Sequence, residues 1–140
     1  MSTKLSFLAG AAVLVAGLPI LAHHSVDAEF DRSKPVTVTG TVTKLEWMNP
    51  HIWFYLDVKD DSGKIVKWQF EGGPPNTLRR NGVTRDALKE GDVVTVQGIR
   101  AKKETSDGVF TGNSSRVTFA NGKSAFTRDA TDDAPRGPAK

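Results

Sequence analysis

Cysteine is absent from all 140 residues, which at once removes disulfide staples, thiolate zinc centres, iron–sulfur clusters and thiol nucleophiles. Excess charge is missing too. Lys and Arg number 19 against 16 Asp and Glu, for a net charge of +3. That is ordinary for solubility and well short of a nucleic-acid footprint, so no nucleic acid is expected as a partner. The length leaves no room for a multi-domain enzyme or a dinucleotide fold. There is no nucleophile elbow, no phosphate-cradling glycine loop and no paired-histidine zinc helix. His24, Ser25 and Asp27 are triad residue types, but near neighbours on one extended segment cannot converge as base, nucleophile and orienter. No enzymatic activity is expected. What is present, 38% hydrophobic and 25% charged residues, suffices for one small packed core.

The one long apolar run lies at the start. Lys4 supplies a positive n-region, residues 5–21 are mostly apolar, and Pro19 breaks the helix ahead of Ala22, a small residue suited to a cleavage position. Residues 1–22 are therefore read as a secretory signal peptide. A retained transmembrane anchor is the alternative, because the run is near the lower length limit for a span. Cleavage after Ala22 would leave no stable membrane anchor. An exported chain without disulfides fits a bacterial periplasm.

Residues 23–34 are polar apart from Val26 and Phe30 and read as an arm leading into the domain. A strand follows over 36–48, with Val36, Val38 and Val42 alternating and Gly40 allowing a bend. The apolar parity then changes to Leu45 and Trp47, which places a β-bulge near Thr43 or Lys44. After Asn49-Pro50, Ile52, Phe54, Leu56 and Val58 share one face of a second strand. His51, Trp53, Tyr55 and Asp57 share the other. Beyond the Asp60-Asp61-Ser62-Gly63 turn, Val66, Trp68 and Phe70 mark a third strand. Pro75 to Arg80 predicts a short helix stopped by Asn81-Gly82, and Thr84 could cap a further turn. Val93 to Ile99 is a fourth strand. Val109-Phe110 and Arg116 to Phe119 form a last pairing region, and Asn121-Gly122 turns the chain into a short edge strand at Ser124 to Thr127. Residues 128–140 lack apolar periodicity and read as a disordered tail. The fold expected over 35–127 is all-β: a small five-stranded OB-like barrel with a short helical connection between strands 3 and 4. An open β-sandwich competes with it.

The three histidines occupy two places, His23-His24 at the expected mature start and His51 after Asn49-Pro50. Cleavage after Ala22 would give His23 a free α-amine, which can chelate a metal together with its own imidazole Nδ1. A third nitrogen from His51 or His24 would complete a T-shaped N₃ set suited to copper(II), the strongest first-row competitor for nitrogen ligands. Zinc fits less well without a thiolate, although Glu29 or Asp31 could add oxygen. The plainer reading is a solvated arm and a histidine that merely begins a strand. Trp53 and Tyr55 stand outward where OB-like barrels take ligands by stacking, so an envelope protein or a glycan is the alternative partner. The arm or the 75–88 segment is expected to cover these rings. Arg100, Lys102 and Lys103, and separately Arg79, Arg80 and Arg85, form basic patches that could meet anionic head groups or a protein, or simply face water.

Several segments carry a family resemblance. They are His23-His24-Ser25, Ala28-Glu29-Phe30-Asp31, the Pro35 to Val42 strand, Glu46-Trp47 with Asn49-Pro50-His51, Leu88-Lys89 with Gly91 to Val96, and Arg100-Ala101-Lys102. Together they resemble a family of small exported proteobacterial proteins known only as a domain of unknown function. The resemblance covers nearly the whole mature domain; Met48 and residues 103–108 depart from the pattern. It implies a periplasmic location and an OB-like barrel, and it supplies no catalytic residue.

Overall fold

The computed structural model describes residues 25–127. The signal peptide read at 1–22, His23 and His24, and the tail from residue 128 lie outside the described residues. Among those described, no helix is long and apolar enough to cross a membrane.

One helical turn, α1 (Val26–Glu29), leads into a long strand β1 (Phe30–Glu46). There follow β2 (Trp53–Lys59), β3 (Ile65–Glu71), a short helix α2 (Pro75–Arg80), β4 (Val93–Ala101), β5 (Phe110–Phe119) and β6 (Ser124–Thr127). The strands pair in the order β3-β2-β1-β4-β5-β6, and β3 also pairs with β5. That last pairing is parallel and closes β1, β2, β3, β5 and β4 into a ring, with β6 as an added edge. This is the connectivity of an OB-like barrel.

Alternation along β2 survives intact: Ile52, Phe54, Leu56 and Val58 are buried, while His51, Trp53, Tyr55 and Asp57 are half-buried on the other side. Inside the ring Phe54 stacks on Phe70 at 5.6 Å and meets Phe126 edge-on at 5.7 Å. Val42, Val94, Val96 and Val117 fill the remainder, and Leu78 of α2 packs into the same cluster with Leu88. The helix starts at Pro75, where the absent N–H costs nothing, as its sequence predicted. The turn after Thr84 does not become a helix; Ala87 N–H donates to the Thr84 carbonyl at 3.0 Å and the chain moves on.

Two boundaries differ from the sequence pattern. β1 begins at Phe30, because that ring is 3% exposed and its backbone pairs with Ala101, so residues 30–34, expected as arm, are already strand. The polar residues 31–34, over which the register breaks, hid that start. β5 runs unbroken through Thr111, Asn113 and Ser114, polar residues that are buried. The predicted bulge is present, as a register shift between Val42 and Lys44.

β1 changes neighbours at Gly40, which pairs with Val94 of β4 and Val58 of β2 together. A Cβ there would stand 2.6 Å from the Asp57 carbonyl oxygen and 2.7 Å from Val58 Cγ2. Gly40→Val should therefore lower unfolding stability by roughly 1–3 kcal/mol, the range for overpacked sites. Urea denaturation checks this, and a variant as stable as the parent would show that the strand crossing tolerates a side chain.

Candidate functional site

The ring closure brings three strands' ends together. Glu71, the last residue of β3, pairs with Trp53 of β2 on one side and with Asn113 of β5 on the other. Paired residues put their side chains on the same face, so these three stand abreast. His51 lies two residues before Trp53 and joins them. Its Nδ1 contacts Oε1 of Glu71, with the two side chains 13% and 10% exposed. Asn113 Nδ2 donates to the other carboxylate oxygen of Glu71 at 2.9 Å, and Ser114 Oγ donates to the Glu71 carbonyl at 2.9 Å. A buried carboxylate is costly unless its lone pairs are met; here both oxygens are engaged. Gly98 makes room for the arrangement, since a Cβ at that position would collide with the Asn113 carbonyl.

A carboxylate on one ring nitrogen fixes the orientation of an imidazole, the arrangement usual behind a metal-ligating histidine. Among the described residues no three His, Cys, Asp or Glu side chains gather as a metal cage. His23 and His24, the other proposed nitrogen donors, are not among them. Glu71 and Asn113 were not singled out in the sequence. Glu71 continues the outward series of Lys67 and Gln69, and nothing local marks it as buried. Asn113 opens a polar Asn-Ser-Ser stretch that gives no local sign of burial.

Trp53 and Tyr55 share the outward face that alternation assigned them, but they line different grooves. Trp53 borders a groove of about 390 Å³ between the arm residues Ala28, Glu29 and Phe30 and the start of the β4–β5 loop, Lys102 and Lys103. The arm flanks this ring across the groove, and among the described residues neither it nor the 75–88 segment covers both Trp53 and Tyr55 as expected. Lys102 N–H donates to the Glu29 carbonyl at 2.9 Å and holds the arm in place. In OB-like barrels the outer face of strands 2 and 3, between the β1–β2 and β4–β5 loops, is the usual ligand position. Tyr55 lines a second groove of about 320 Å³ with Lys44, Lys67 and Trp68. Its hydroxyl donates to Glu46 at 3.0 Å, and Lys44 Nζ lies 5.4 Å from its ring centre. Of the basic residues, Arg79 rests over the Trp47 ring at 5.9 Å, and Arg100 pairs with Glu104 at 2.6 Å while lying 4.6 Å over Phe110.

Partial burial, and then the hydrogen bond to Glu46, push the Tyr55 hydroxyl above its ordinary pKa. Hydrogen bonds from Lys44 and then Tyr55 hold the Glu46 carboxyl below its own. The folded state thus favours protonated Tyr55, and this contribution is lost as pH rises through the folded value. Tyr55 is the only tyrosine, so ultraviolet titration reads it alone. The midpoint should lie above that of the unfolded chain, and Glu46→Gln should bring it part of the way back. A midpoint unmoved by folding would disprove the coupling.

No curated protein matches the sequence. Among the solved structures to which the chain is similar in fold are the following two. The mitochondrial single-stranded DNA binding protein Rim1 of S. cerevisiae is 13% identical with a TM-score of 0.47, the match covering 65% of this chain and 95% of that one. The N-terminal domain of PriB from Thermoanaerobacter tencongensis, a dimer, is 20% identical with a TM-score of 0.41, covering 63% and 97%. One expectation is corrected by this comparison. Nucleic acid was excluded on low net charge and compartment, and a single-stranded DNA binding protein stands among the similar folds, so the exclusion is withdrawn. A family model spans residues 11–113, and the chain belongs to DUF6152, a family of unknown function.

Proposed function

We propose that this protein is an exported, non-enzymatic binding module of the bacterial periplasm that holds one copper ion. His51 supplies one imidazole nitrogen. The α-amine and imidazole of His23, exposed as the mature N-terminus by signal cleavage, supply two more, with His24 assisting. The observation that carries this reading is the His51–Glu71 contact, braced by Asn113 and set almost out of solvent. Such a carboxylate brace orients the imidazole so that its other nitrogen, Nε2, can donate to the metal. Further support comes from the arm. Ala28, Glu29 and Phe30 lie across a groove from Trp53, so the segment that follows His23-His24 runs beside a residue two positions from His51. All-nitrogen ligation and the absence of thiolates favour copper(II).

Five measurements test the proposal. Mass spectrometry of the exported product should find His23 at its start. Isothermal titration of that product should give about one copper(II) per chain. One extra residue before His23 should weaken binding at least ~10-fold, or ~1.4 kcal/mol, and Glu71→Gln should weaken it about 10–100-fold. Affinity should fall as pH falls, because the amine and imidazoles must lose their protons to bind. An extended N-terminus that binds equally well would remove the chelate. An adaptor for an envelope protein or glycan would rest on Trp53 alone, since Tyr55 faces another groove and bonds to Glu46.

A further inference from the structure

The groove beside Trp53 has a chemistry of its own. Its volume of about 390 Å³ falls within the range of ~300–1,000 Å³ usual for small-molecule sites. Apolar surface comes from Ala28, Phe30, Ala101 and the half-buried Trp53 ring. The other two indoles are already covered: Arg79 lies over Trp47, and Phe70, Phe110 and Arg100 lie against Trp68. Among the described residues no ring or cation stacks on Trp53. A flat aromatic surface borders the groove with no stacking partner among the described residues.

The charged rim is uneven. Lys102 Nζ donates to the Asp27 carbonyl at 2.5 Å, which pins its charge at the groove edge without neutralising it. Lys103 is exposed and makes no hydrogen bond or ion pair among the described residues. Among the described residues Glu29 is the only acid on the lining, set against these two ammonium groups. Each threonine hydroxyl on the described lining already makes a hydrogen bond within the protein. Thr111 Oγ1 accepts from Gln69 at 2.9 Å, and Thr105 Oγ1 donates to the Val109 carbonyl at 2.8 Å. A saccharide, whose hydroxyls each want a partner, would find few there. A flat apolar ring bearing one negative charge meets what the site offers.

We infer that this groove binds a small aromatic carboxylate, with the ring against Trp53 and the acid group between Lys102 and Lys103. Offset stacking supplies the apolar part of the attraction and the paired ammonium groups the ionic part. The inference does not rest on the copper reading, because none of these residues is a proposed metal ligand. It is tested by isothermal titration of the chelator-treated, metal-free mature chain with 4-hydroxybenzoate. One saturable site is expected. The methyl ester of the probe and the exposed-site variant Lys103→Glu should each bind at least ten-fold more weakly, and Trp53→Ala should abolish binding. Absence of saturation overturns the inference. So does equal binding of the ester, or a Lys103→Glu variant that binds as the parent does. Tighter binding of galacturonate than of 4-hydroxybenzoate would reassign the groove to acidic saccharides and equally overturn it.

Discussion

The parallel pairing of β3 with β5 is the constraint from which the rest of the molecule follows. Every other strand contact joins antiparallel neighbours, and without this one the sheet would stay open, with long β3 and β5 edges facing water. Closing it buries Phe70 against Gly112 and sets Glu71 beside Asn113. A carboxylate then sits at the seam with little access to solvent. It is tolerated because His51, from the β1–β2 loop, and Asn113, from β5, each direct a polar atom at one of its two oxygens, while Ser114 donates to the Glu71 backbone carbonyl. The seam that completes the barrel also assembles its most unusual polar cluster.

Much of the scaffold was legible in the sequence, for local reasons. Period-two alternation in Ile52, Phe54, Leu56 and Val58 depends only on the strand itself, and it identified both the core face and the outward position of His51, Trp53 and Tyr55. The parity change after Val42 located the bulge. Pro75 and Asn81-Gly82 bounded the helix because their backbone preferences act within a residue or two. The strand order then pointed to the barrel.

The cluster was less legible, because its members meet only after the ring closes. Glu71 and Asn113 are 42 positions apart in the chain, and each looks locally like a solvated residue. The strand start at Phe30 was missed for a related reason. Its partner Ala101 lies at the far end of β4, and the polar residues between Phe30 and Pro35 break the alternation that would have announced it. Local patterning reports which face of a strand is buried. It does not report which buried polar groups will find one another.

Gly98 carries the least conspicuous consequence. It contributes no side chain to the cluster, and its value lies in letting the neighbouring strand draw close enough to present Asn113. Any larger residue there would push that strand outward and tilt the amide away from Glu71. A survey of natural variants that scored only ligand-touching positions would pass over Gly98, although inheritance of the polar seam depends on that hydrogen as much as on any imidazole.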